Sequence, residues 1–175
     1  MIETIKNAWR IPELRKKIIF TLVCLLIFRL GSAIPVPFIS PDVSKLFAEQ
    51  LAGTALGFLN AMSGGSLEMA NVFALSIQPY INASIILQLL TVAIPALERL
   101  AKEGEEGRKK IASYTRYVTV ILAFIQATGL YFGLSGAMAS TGVFEYLIVA
   151  FTFTAGTAFL MWLGEQITER GIGNG

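Results

Sequence analysis

The chain has 175 residues, of which 54% are hydrophobic and 15% are charged, whereas soluble domains carry about 25% charged residues. Its net charge of +2 does not indicate nucleic-acid binding. The sequence has no histidine and a single cysteine, Cys24. Histidine-dependent catalytic triads, imidazole zinc sites and an intrachain disulfide are therefore excluded. This composition indicates an integral membrane protein. We expect it to be all-α, not to be an enzyme and to hold no metal.

Four apolar stretches approach the length of about 20 residues that a helix needs to span a bilayer. We expect transmembrane helices over residues 18–34, 75–97, 117–134 and 143–164. The second is expected to be broken near Pro79, because proline is accepted in a first helical turn and kinks a helix elsewhere.

The basic residues predict the orientation of these spans. Twelve of the 14 basic residues lie before the first span, between the second and third, or after the fourth. The positive-inside rule therefore places in the cytoplasm the N-terminal segment 1–17, the basic loop 98–116 and the segment 165–175. The loops 35–54 and 135–142 are expected on the external side.

Residues 55–70 require a separate interpretation. They contain the apolar octet ALGFLNAM followed by SGGS, and the octet is too short to span. Because an exposed apolar octet is unfavourable, a short re-entrant helix packed inside the protein is one prediction. An amphipathic helix lying on the outer surface is the alternative.

One stripe of the second helix combines apolar and polar residues. Ile77, Ile81, Ser84, Ile85 and Gln88 project within one sector at about 100° per residue. An apolar constriction above a polar vestibule would have this pattern. Ordinary packing, with the serine and glutamine hydrogen-bonded across helices, would have it too.

Several stretches together resemble the SecY family, the channel subunits of the bacterial Sec translocon. They cover the whole chain in order: RLG at 29–31, IPVP at 34–37, IQPYINASIILQLL at 77–90, KEGEEGRKKI at 102–111, YTRY at 114–117 and GEQITERGIGNG at 164–175. Phe38 departs from the pattern, since the family often has glycine there. The family's sequence continues beyond this chain, so we expect a truncated chain in preference to one piece of a split channel.

The resemblance implies the N-terminal half of the SecY clamshell fold, with four transmembrane helices and a short re-entrant plug helix. It implies a pore ring at Ile77 and Ile81. The plug positions it implies are Phe58, Leu59, Asn60, Met62, Ser63, Gly64, Gly65 and Ser66. The positions it implies on the lateral gate, where a signal sequence would bind, are Ser84, Ile85, Gln88, Leu89 and Gln126.

The resemblance further implies the central subunit of a protein-conducting channel in the bacterial cytoplasmic (inner) membrane, with a cytoplasmic N-terminus. Such a channel passes secretory polypeptides across the membrane and releases transmembrane segments laterally. The implied partners are SecE, SecG, the SecA motor ATPase, the ribosome, signal sequences, nascent or unfolded preproteins and anionic lipids. No cofactor is expected. The basic loop residues Arg108, Lys109, Lys110 and Arg116 either help SecA or the ribosome to dock, or form a solvated loop that contacts anionic lipid.

Two other functions would require charged side chains near the middle of the membrane, and the predicted spans of this chain have none there. A small-molecule or ion secondary transporter, the main alternative, would place charged ligands there, but Arg29 and Glu145 lie near the ends of predicted spans. A membrane-embedded protease would need an aspartate pair or a Ser-Lys dyad, and Asp42, the one aspartate, lies in a loop.

Overall fold

The computed structural model describes residues 11–39, 58, 70–133 and 142–173. These residues form α-helices, and the described part of the chain contains no β-strand beyond an isolated antiparallel bridge between Pro35 and Asn71. In chain order the helices are α1 (Pro12–Gly31), α2 (Gln78–Ala93), α3 (Pro95–Lys102), α4 (Glu105–Gly133) and α5 (Val143–Arg170).

Prolines set both ends of α2. Pro79 lies in the first turn, where its missing N–H breaks no helical hydrogen bond. The helix ends at Ala93 because Pro95 disfavours helical backbone at Ile94, which is extended with φ −109° and ψ 112°. α3 then leaves at 101° to α2. The predicted span over 75–97 therefore corresponds to a turn-rich entry, the helix α2 and the start of a second helix.

α4 packs on α2 and α5 through a stripe of mostly small side chains. Thr115, Thr119, Ala123 and Ala127 are buried and recur every four residues, followed by Tyr131. Small residues let helices approach closely. The Thr119 hydroxyl donates a 2.7 Å hydrogen bond to the carbonyl oxygen of Thr115, so this buried polar group is satisfied within its own helix.

The apolar core lies where α4 and α5 meet the chain segments beside the Pro35–Asn71 bridge. Its buried members are Val36, Ala74, Ala127, Tyr131, Val149, Ala150 and Phe153. At the same end of the helices, the Tyr131 ring contacts the Tyr146 ring with centroids 5.2 Å apart. The core thus ties α4 and α5 to the residues that precede α2.

Large apolar side chains are exposed along α1, including Leu22, Leu26 and Leu30 at 54%, 60% and 61%. Within the described residues, α5 is long and apolar enough to cross a membrane by length and composition, and α2 with α3 would add a second span if the bent pair counts as one. The predicted number of four spans therefore stays a prediction.

Phe38 has φ 68°, in the left-handed region that favours glycine. This is the position where the sequence departs from the glycine that the family often has. The phenylalanine is therefore held in a backbone conformation that its side chain disfavours.

Candidate functional site

The predicted pore-ring and gate residues of α2 divide between the exposed side of the helix and the edge of its packing surface. Ile81, Ile85, Gln88 and Leu89 are exposed, whereas Ile77 and Ser84 are half-buried. The buried residues of α2 are Pro79, Ala83 and Leu87. Ile81 is 40% exposed and lies roughly opposite them, whereas Ile77 directly precedes the helix and is half-buried. The side of α2 that carries Ile81 is therefore exposed among the described residues.

The predicted gate residues differ in how far their side chains are exposed. On α2, Ile85 and Leu89 are 50% and 65% exposed. Gln88 is also exposed, and Ser84 is half-buried. Gln126 is half-buried on α4. The exposed side of α2 is therefore mainly apolar, with Gln88 toward its C-terminal end.

A cavity of about 450 Å³ lies beside this stripe, where α2, α4 and α5 meet. Ile77 and Ser84 line it, so the structure brings together one residue predicted for the pore ring and one predicted for the gate. The full lining is Ile77, Tyr80, Ser84, Ala112, Arg116, Met161, Gly164, Glu165, Thr168 and Glu169.

Arg116 has a partner on a different helix. Its Nε donates to Oε1 of Glu165 on α5 at 2.7 Å. The sequence predicts Arg116 as part of a cytoplasmic basic loop that either helps a partner to dock or contacts anionic lipid, and the structure places it in an interhelical ion pair at the wall of the cavity. Arg108 and Lys109 are exposed at the start of α4, and Lys110 lies 3.8 Å from Glu103.

Residues 34–36 pair with residues 70–72 and form what we call the neck. The Val36 N–H donates to the Ala70 carbonyl at 3.2 Å, and the Val72 N–H donates to the Ile34 carbonyl at 3.1 Å. Asn71 is 2% exposed. Its side-chain nitrogen donates to the Ser32 carbonyl at 2.6 Å, and its side-chain oxygen accepts from the Phe73 N–H at 3.0 Å.

Phe73, which follows the neck in sequence, packs between α1 and α5. Its ring stacks on Phe28 with centroids 5.7 Å apart and on Phe159 with centroids 6.0 Å apart. Two glycines make room for this arrangement. A Cβ at Gly31 would lie 2.2 Å from the Phe73 ring, and a Cβ at Gly156 would lie 2.0 Å from the Val72 carbonyl oxygen.

Most of the predicted plug positions lie outside the described residues: Leu59, Asn60, Met62, Ser63, Gly64, Gly65 and Ser66. Phe58 is described and is 69% exposed. The two parts of the neck, residues 34–36 and 70–72, precede and follow these positions in the sequence.

The structure adds residues to the site that the sequence did not predict, of which three matter most for its geometry. Tyr80 and Glu165 line the cavity, and Asn71 holds the neck. The sequence gives a weak indication of Glu165 and Glu169, because residues four apart share one face of a helix. The sequence gives no indication of the role of Asn71, since its hydrogen-bond partner Ser32 is distant in sequence.

The described residues contain no group of three or more acidic, cysteine or histidine side chains arranged to hold a metal ion. The cavity lining combines the Arg116–Glu165 ion pair with hydroxyl-bearing and apolar side chains.

The described helices resemble those of solved protein-conducting channels. One is canine Sec61 in a ribosome–channel complex from the endoplasmic reticulum, with a TM-score of 0.57 and 21% identity, over 97% of this chain and 38% of that one. Another is a SecY channel described for how its plug domain stabilises the closed state, with a TM-score of 0.58 and 22% identity, over 97% of this chain and 37% of that one. The class of fold is thus that of the Sec61 and SecY channels.

Sequence comparison gives the family. The SecY family model matches residues 71–175. The protein translocase subunit SecY of Halalkalibacterium halodurans is 49% identical over 180 residues, which is 100% of this chain and 41% of the relative. SecY of Escherichia coli K12 is 48% identical over 93% of this chain and 38% of the relative. The chain belongs to the SecY family, and it spans about two fifths of the length of these relatives.

Proposed function

We propose that this chain forms one wall of a protein-conducting channel, which passes secretory polypeptides across a membrane and releases transmembrane segments laterally. Membership of the SecY family supports this function most directly. Four transmembrane helices, a cytoplasmic N-terminus and a bacterial cytoplasmic membrane location complete the proposal, in line with the distribution of basic residues.

The exposed side of α2 supports a pore-lining role. Ile81 and Ile85 are 40% and 50% exposed, although both are apolar. Branched aliphatic side chains suit a constriction because they exclude ions by dewetting and bind no passing sequence strongly. In the assembled channel, Ile77 and Ile81 would contribute to the pore ring. Ser84, Ile85, Gln88, Leu89 and Gln126 would border the lateral gate.

The plug and the partners complete the proposed mechanism. Residues 55–70 would fill the outer funnel at rest, and a signal sequence that binds the open gate better than the closed one would shift the population toward the open state. SecE and SecG would be the companion subunits, SecA or the ribosome would deliver substrates, and anionic lipids would contact the basic loop. Arg108, Lys109 and Lys110 are exposed for such contacts.

Import into vesicles tests this function. Proteoliposomes that contain the channel with this chain are expected to take up a full-length preprotein when the motor ATPase and ATP are supplied. Protection of the preprotein from external protease is the readout. Vesicles that take up small solutes but never protect the preprotein would contradict the proposal and would favour the transporter alternative.

A further inference from the structure

The ion pair between Arg116 and Glu165 lies at the wall of the cavity described above. We propose that it is a positioning contact that holds the cytoplasmic ends of α4 and α5 together and thereby stabilises the resting state of the channel. This inference rests on the proposed function. It concerns regulation of the same site, because Ile77 lines that cavity too.

The geometry distinguishes this pair from the other ion pairs among the described residues. The 2.7 Å contact joins side chains that are 49 residues apart, on α4 and on α5. The pair of Lys102 with Glu98 lies within the single helix α3. The pair of Lys110 with Glu103 joins α4 only to the turn before it. Arg116–Glu165 is therefore the described ion pair that links two long helices.

The packing around the ion pair connects it to the shape of the cavity. On α4, the buried stripe consists of small residues such as Thr119, about one turn from Arg116, and Ala123, about two turns from it. Small side chains let α4 and α5 approach closely, and the ion pair adds a specific polar contact between the two helices at this level. Because α2 packs on α4, a rotation of α4 against α5 would alter the cavity wall beside Ile77.

The exposure of the pair suits a reversible contact. The side chains of Arg116 and Glu165 are 48% and 26% exposed. Partly exposed pairs make small contributions, so breaking this one would shift a two-state equilibrium by up to about fivefold. Such a shift raises the open population without abolishing the closed state.

Charge reversal tests the proposal. The channel with Arg116→Glu or with Glu165→Arg is reconstituted into vesicles, and the ion leak is measured without substrate. Each single variant is expected to raise the resting leak by up to about fivefold. The double variant, which restores opposite charges, is expected to return the leak to the wild-type value. Lys102→Glu is the matched control, because it breaks an ion pair inside one helix and is expected to leave the leak unchanged.

Two results would overturn the proposal: single variants that insert at the wild-type level and leak no more than wild type, or a double variant that leaks as much as the singles. If charge reversal prevents insertion, Arg116→Gln and Glu165→Gln remove the attraction without adding repulsion, and the same rise in leak is expected. Preprotein import by wild-type vesicles is measured in parallel. Absent import would contradict the proposed function, whereas normal import with an unchanged leak in the single variants would contradict only the role of the pair.

Discussion

The side-chain nitrogen of Asn71 donates a 2.6 Å hydrogen bond to the carbonyl oxygen of Ser32, 39 residues earlier in the chain. Beside it, Pro35 and Asn71 form an isolated antiparallel bridge. The described residues that follow α1 and those that precede α2 therefore lie side by side.

Asn71→Ala is expected to lower the free energy of unfolding by about 1–3 kcal/mol, because it leaves the Ser32 carbonyl and the Phe73 N–H without their side-chain partner. Asn71 is 2% exposed, so water cannot readily replace the amide. Thermal unfolding of the detergent-purified protein measures the effect. Asn82→Ala, at a half-buried position of α2, is the control. Equal shifts in Tm for the two variants would show that the neck hydrogen bonds contribute nothing specific.

Gly156→Ala is expected to destabilise the protein by about 1–3 kcal/mol, since the added methyl group overpacks a filled site. Its Cβ would lie 2.0 Å from the Val72 carbonyl oxygen, a backbone atom. Gly129→Ala on α4 is the matched control, because a Cβ there has no neighbour within 4 Å. That change should stabilise the helix by about 1 kcal/mol. A Tm that rises in both variants would disprove the close approach of the neck to α5.

Phe38→Gly is expected to raise stability by up to about 1 kcal/mol, because glycine adopts the left-handed backbone without the strain that other residues incur. The φ of 68° at Phe38 is the basis for this expectation. Phe38→Ala separates backbone strain from the loss of the ring, since alanine keeps a Cβ. If denaturant unfolding shows the glycine variant to be no more stable than the alanine variant, the backbone at this position is not strained.

The local features of the fold follow from residues that are close in sequence. Pro79 predicts the start of α2, and the helix begins one residue before it. Pro95 explains the end of α2 through the same physical rule. The 101° bend between α2 and α3 also follows from Pro95, which lies inside the predicted span 75–97.

The contacts that join distant parts of the chain were not predictable in the same way. Periodicity places Ile77 and Ile81 on one side of α2, because helical spacing is a local property. Arg116 lies 49 residues from Glu165, and one chain's sequence gives no spacing rule for such a pair. The basic residues near Arg116 therefore predict a cytoplasmic loop that helps a partner to dock or contacts anionic lipid, and they do not predict an interhelical contact.

The most direct test of channel function is to ask whether a translocating polypeptide passes Ile81. Ile81→Cys and Ile86→Cys are made separately in a Cys24→Ala background, and a cysteine-reactive crosslinker is added to membranes that hold a stalled preprotein. The two isoleucines are equally exposed at 40% and lie on different sides of α2, since five residues correspond to about 140° around a helix.

The expected result is crosslinking of the preprotein to Cys at position 81 and none at position 86. Crosslinking at position 86 with none at position 81, or at neither position while translocation proceeds, would contradict a pore-lining role for this side of α2.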